Sequence, residues 1–221
     1  MNKFINNPKP LFRCAWGETA FLHFEADPAA LRPRVPLELD LFEGRAYVSV
    51  VAITIRPFLA AQSFLNVRTY VKGGIAFLAG WLPNPVCALL GPRVVGIPYR
   101  LARMKLESSV AGFHVRARAS GGAFEFRAEI DPRQSYRRPA PGSLDEFLLE
   151  RYRAFTRVGR RRMAFSVWHE PWRYVSIEPE ILDDRLLRTT GAWTRGARLV
   201  AAHLSPGFEK VGMGRLEEVR A

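Results

Sequence analysis

Only two of the 221 residues are cysteine, Cys14 and Cys87, too few for a disulfide framework and without the spacing of a metal-binding pair. Lysine is scarce too: Lys3, Lys9, Lys72, Lys105 and Lys210 are the only lysines among 33 basic side chains, the rest being arginine. The four histidines, His23, His114, His169 and His203, stand far apart with no ligand spacing, so neither a metal site nor a cofactor is expected. A phosphate loop, a GxSxG elbow, an HExxH motif and a dinucleotide glycine fingerprint are all missing. The opening MNKFINNPKP has no apolar core of the kind a secretory signal needs, so a cytoplasmic protein is expected. The longest apolar stretch, GGIAFLAGWLPNPVCALLGP, is broken at its midpoint by Pro83, Asn84 and Pro85. It reads as two short buried elements, not a membrane span.

What is present fits one globular domain over residues 1–221: 48% of the chain is hydrophobic, and 16 prolines and 17 glycines are dispersed along it. A net charge of +12 would attract anions at long range. The densest basic cluster, RVGRRRM from Arg157 to Met163, reads as a solvated loop after a helix. Contact with nucleic acid is the alternative, but no helix-turn-helix, RNA-recognition or zinc-finger pattern accompanies it.

Much of the chain alternates with period two. In RAYVSVVAITIRPF, Tyr47, Val51, Ile53 and Ile55 share one face and Val48, Val50 and Ala52 the other, as in a strand buried on both sides. NVRTYVKGGIAFLAG reads as a hairpin turning at Lys72, Gly73 and Gly74. FHVRARA and AFEFRAEI form a second hairpin. Phe113, Val115, Ala117, Phe124, Phe126 and Ala128 point inward, and outward Arg and Glu rows can pair across the strands.

Three helices are expected. DPAALR starts with Asp27 as cap and Pro28 at the first helical position; NPVCALLGP repeats the device with Asn84 and Pro85 and should stop at Gly91 and Pro92. The longest is SLDEFLLERYRAFTR, with Ser143 and Glu146 at capping-box spacing and a stripe of Leu144, Phe147, Leu148, Tyr152 and Phe155. Antiparallel strands with a few inserted helices give an α+β, β-rich class whose sheet closes or curls.

Five stretches in order, FLHFEADPAALRPRVPLELDLFEGRAYVSVV, LNVRTYV, GIPYRLARM, SLDEFLLERYRAF and WHEPW, resemble the YqjF-like proteins grouped as domain of unknown function 2071. That family is similar, more distantly, to acetoacetate decarboxylase. The resemblance implies a curved antiparallel sheet closing into a cone or barrel around a cavity, with a few flanking helices. In the decarboxylase the segment matching GIPYR carries adjacent lysines, one forming a Schiff base with the keto substrate. Here those places hold Tyr99 and Arg100. A phenol forms no imine and a guanidinium stays protonated, so the resemblance implies a protein without that covalent mechanism at this site. Phe64 stands two residues before Asn66, where many relatives carry a carboxylate, so the companion acid is missing as well. Lys105 alternates with Met104 and Leu106 and should point away from them.

The resemblance leaves an aromatic and cationic set for the cavity: Arg68, Tyr70, Tyr99, Arg100 and Arg103. Arg68 and Tyr70 are two apart and share one strand face. A buried arginine needs a partner, and either a carboxylate ligand or a protein acid such as Glu107 would serve. Tyr99 is the expected proton donor or oxyanion stabiliser, Arg68 or Arg100 the carboxylate anchor. His169 in WHEPW is either an accessory base at the rim or a packed aromatic. The expected partner is a small, anionic or carbonyl-bearing molecule; a non-enzymatic protein that contacts nucleic acid or acidic partners through its basic surface is the rival.

Overall fold

The computed structural model describes residues 10–56 and 61–219. The strands among them are β1 (Phe12–Ala26), β2 (Ala46–Arg56), β3 (Gln62–Val71), β4 (Gly74–Leu82), β5 (Tyr99–Leu101), β6 (Arg103–Ser109), β7 (Gly112–Ala119) and β8 (Gly122–Glu129), followed by β9 (Arg153–Val158), β10 (Arg161–Trp168), β11 (Val175–Ser176), β12 (Glu178–Asp183), β13 (Arg198–Ser205), β14 (Phe208–Met213) and β15 (Glu217–Glu218). The helices are α1 (Pro28–Leu31), α2 (Pro85–Val94), α3 (Leu144–Leu149) and α4 (Arg185–Arg188).

Strand β1 is long enough to serve three neighbours. It pairs with β2 along one edge; on the other it pairs with β14 through its first half and β13 through its second. The path β1, β14, β10, β9, β4, β3, β2 returns to β1 and closes a seven-stranded barrel. A second sheet, in the order β12-β8-β7-β6, is antiparallel throughout and packs on the outside of the barrel. Closure removes the free edges that an open sheet would expose.

The period-two pattern explains how one set of strands serves two compartments. Ala20 and Leu22 of β1, Val48 and Val50 of β2, and Leu65 and Val67 of β3 turn outward, where they meet Phe113, Val115, Phe124 and Phe126 of the second sheet in one dry core. The alternate residues, among them Phe21, Val51, Asn66 and Arg68, face the barrel interior. The hairpin from β7 to β8 pairs as the alternation predicts, with Arg116 Nε donating to Glu125 Oε1 at 2.7 Å on the outer face.

Two helix expectations are corrected. The long helix ends at Leu149, and Tyr152 and Phe155 lie at and within the next strand, because residues from Arg153 pair with β10 antiparallel and with β4 in parallel. The basic cluster is therefore the tip of the β9–β10 hairpin, turning at Gly159 with φ 59°, and Arg157, Arg160, Arg161 and Arg162 are exposed there. Helix α2 runs past Gly91 and Pro92 to Val94. Gly96, with φ 71°, ends it by donating to the Gly91 carbonyl at 3.0 Å. No helix among the described residues is long and apolar enough to cross a membrane.

Candidate functional site

All seven barrel strands and β5 contribute side chains to a cavity of about 100 Å³ in the barrel interior. Arg68 enters it from β3, and its guanidinium is buried. No carboxylate pairs with it among the described residues, and its Nε finds no hydrogen-bond partner. Its side chain contacts the Tyr70 hydroxyl, and Cζ lies 5.5 Å from the Phe21 ring centroid, a cation–π contact. Burial lowers the pKa of this group from the ordinary arginine value, and the positive charge of Arg151 acts in the same direction. Glu107, the protein acid considered as its partner, is instead on the outer sheet and pairs with Lys105 at 2.7 Å.

Two further buried polar atoms line the same cavity. Asn66 Oδ1 is buried without a partner, and Trp16 Nε1 is buried with only the Cys14 thiol in contact. A buried polar atom left unpaired costs about 1–3 kcal/mol, and these atoms give the cavity a polar wall. By contrast Arg151, which also lines the cavity, is spoken for: Nη1 donates to Asp40 Oδ2 at 2.8 Å, Nε to the Phe147 carbonyl at 2.7 Å, and the guanidinium lies 4.1 Å from the Phe147 ring centroid.

His169 reaches the cavity from the segment after β10. Its ring stacks on Phe208 at 4.4 Å and is hemmed by Trp16, Tyr152 and Trp172. Its Nδ1 lies 2.6 Å from the Glu170 carbonyl oxygen. A carbonyl only accepts, so Nδ1 carries the proton and Nε2 keeps its lone pair. Burial pulls the imidazole pKa down to about 4, with Arg68 adding to the effect, so the ring is neutral at pH 7.

Tyr99 also lines the cavity. Its ring is wedged between Gly80 and Gly91, where a Cβ would come within 2.8 and 2.7 Å of it. Burial raises its phenol far above the usual range, and Cys87 of α2 acts in the same direction. Arg100, next along β5, is exposed, as is Arg103 on the outer sheet, and neither lines the cavity. Alternation explains the split: β5 turns Tyr99 in and Arg100 out, and beyond Ala102 the chain leaves the barrel for β6. The expectation that Arg100 and Arg103 share the cavity with Arg68 is thus corrected. Lys72, Lys105 and Lys210 are exposed and none of them lines the cavity.

Tyr70 shares the Arg68 face but belongs to a buried polar chain beside the cavity. Its hydroxyl donates to the Leu148 carbonyl at 2.9 Å and contacts Ser49 Oγ closely. Ser49 Oγ is 2.6 Å from His23 Nδ1, His23 Nε2 is 3.1 Å from His203 Nδ1, and His203 Nε2 is 3.1 Å from Asp145 Oδ1. With Tyr70 committed to Leu148, Ser49 donates to Tyr70 and His23 Nδ1 donates to Ser49. The His203 contact lowers the pKa of the Asp145 carboxylate. His23 and His203 are 180 positions apart, and nothing local in the sequence couples them. Among the described residues no group of three or more His, Cys, Asp and Glu side chains could hold a metal ion.

The geometry can be set beside known proteins. The model of the DUF2071 family, described as an uncharacterized conserved protein, matches residues 13–209. The uncharacterized protein YqjF of Bacillus subtilis is 30% identical over 188 residues, covering 77% of this chain and 78% of that one. Among solved structures, acetoacetate decarboxylase from Legionella pneumophila superposes with a TM-score of 0.67 at 16% identity, covering 100% of this chain and 92% of its own. The enduracididine biosynthesis enzyme MppR complexed with pyruvate gives 0.65 at 14%, covering 97% and 91%. The chain therefore belongs to the DUF2071 family and is built on the acetoacetate decarboxylase-like fold.

Proposed function

We propose that the protein binds a small carboxylate- or carbonyl-bearing molecule inside the barrel, with Arg68 as its anchor. One observation carries this reading: a buried guanidinium faces a cavity, and no carboxylate among the described residues pairs with it. A bound carboxylate would satisfy it in fork geometry and let the Trp16 indole N–H donate as well. The pyruvate in the MppR complex supports a ligand of this size and charge in a barrel of this kind.

Any chemistry here runs without a Schiff base, since no described lysine lines the cavity. His169 Nε2 is the available base, neutral at pH 7 and able to take a proton from a carbon next to a polarised carbonyl. Tyr99, kept protonated by burial, is the proton donor of this reading.

Calorimetric titration with pyruvate and with acetate tests the anchor. Wild-type protein binds at least one of them, and Arg68→Met weakens that binding by about a hundredfold, the scale of a lost buried charge partner. Unchanged affinity in a folded Arg68→Met protein overturns the reading. The rival nucleic-acid reading has only the exposed arginines of the β9–β10 hairpin behind it.

A further inference from the structure

The barrel cavity holds little. At about 100 Å³ it has room for about three water-sized groups of ~30 Å³ each, enough for a carboxylate and the carbon that bears it. Ligand sites commonly enclose about 300–1,000 Å³. Beside it lies a groove of about 520 Å³, walled by α2 and by barrel residues. Cavity and groove share Ile55, Phe64, Ile97, Tyr99, Phe165 and Met213 as a common wall.

Chemistry changes abruptly across that wall. On the cavity side stand a guanidinium, an indole N–H, an amide and an imidazole. On the groove side the lining is hydrocarbon, including Leu82, Val86, Leu90 and Val94, with Gln62 the one amide among the described lining residues. Helix α2 contributes no buried residue: Val86, Leu90 and Val94 are 61%, 47% and 62% exposed. Apolar side chains grouped in this way around a concave space are left wet unless something apolar fills it.

We propose that the ligand is amphipathic: a carboxylate head on Arg68 and a hydrocarbon tail of about six carbons lying in the groove under α2. This rests on the anion-binding reading above and adds the ligand's second half. That the two spaces adjoin across one wall favours a single molecule over a second copy of the chain, because a protein neighbour on α2 would leave Arg68 without a carboxylate and Asn66 Oδ1 without a donor. Tyr99, clamped between Gly80 and Gly91, is a fixed part of the divide. For the tail to pass, Phe64, whose ring lies 5.7 Å from that of Tyr99 in the shared wall, must turn aside.

Titration with acetate, butyrate, hexanoate and octanoate decides it, together with Leu90→Gln and Val94→Gln, which replace exposed residues and spare the core. In wild-type protein affinity rises about fourfold per methylene beyond butyrate, the equivalent of about 0.8 kcal/mol each. Either variant weakens octanoate at least tenfold and leaves acetate within twofold. If acetate binds and octanoate binds no tighter, the tail is refuted and the anion site stands. If no alkanoate of any length binds but pyruvate does, the tail is refuted and the anion site stands; if pyruvate fails as well, both fall. A wild-type dimer that Leu90→Gln makes monomeric, with octanoate affinity unchanged, assigns the groove to a second copy and overturns the proposal.

Discussion

The two faces of strands β1, β2 and β3 make opposite bargains with water. Outward, Leu22, Val50, Leu65 and Val67 meet the second sheet in a core of hydrocarbon where little is unsatisfied. Inward, one residue away on each strand, Phe21, Val51, Asn66 and Arg68 surround a cavity in which Arg68 Nε and Asn66 Oδ1 are left without partners. The same backbone and the same hydrogen-bond ladder support both. Stability is thus concentrated on one face, and the other is free to carry groups that a core would reject.

The largest effect should come from cutting the dry face. Phe126, fully buried between the sheets, loses packing and leaves a void when replaced by alanine, and a denaturant titration should show a loss of about 3–5 kcal/mol. A loss below 1 kcal/mol would mean that the barrel stands without its outer sheet.

Acid should probe the wet face. His169 has a folded pKa of about 4 against an ordinary value of about 6.5, so the unfolded chain binds the proton first as pH falls. Stability is therefore full above about pH 6.5 and declines toward pH 4, by about 3 kcal/mol from this residue. His23, also held neutral by burial, acts in the same direction. Denaturation midpoints between pH 7 and 4.5 would show the decline, and His169→Phe, which keeps the stack on Phe208, should flatten it.

Arg68→Met sets the two faces against each other. At a site serving only the fold, removing the residue would destabilise; at a binding site, removing a buried charge that has no carboxylate partner leaves thermal stability equal or raised. A melting temperature at or above wild type, with ligand affinity down about a hundredfold, is the expected pair of results. Smallest of all is the surface: Arg116→Ala breaks an exposed ion pair with Glu125 and should cost less than about 1 kcal/mol in the same denaturant assay.

Much of this was readable from the residues. The two-sided strand Tyr47 to Ile55, both hairpins and the three N-terminal caps follow from alternation and turn chemistry, which act over a few residues. The end of α3 was not, because RYRAFTR carries apolar residues at both helical and strand spacing, and pairing with β10 and β4 decided between them. Of the six residues singled out for the site, Arg68, Tyr99 and His169 line the cavity. Tyr70 lies beside it in the buried chain, and Arg100 and Arg103 face solvent. Trp16, Asn66 and Arg151 were missed. No local pattern marks an indole or an amide as facing a cavity, and Arg151 owes its direction to Asp40, 111 positions away.

By itself the sequence determined which faces of its strands would be apolar and where its helices would begin. Those properties are set by side-chain chemistry and by periods of two to four residues. Only the tertiary structure decided that Arg68 would be buried without an acid, that His23 would meet His203, and that a polar cavity would adjoin an apolar groove. These depend on barrel closure, which brings strands distant in sequence around one space.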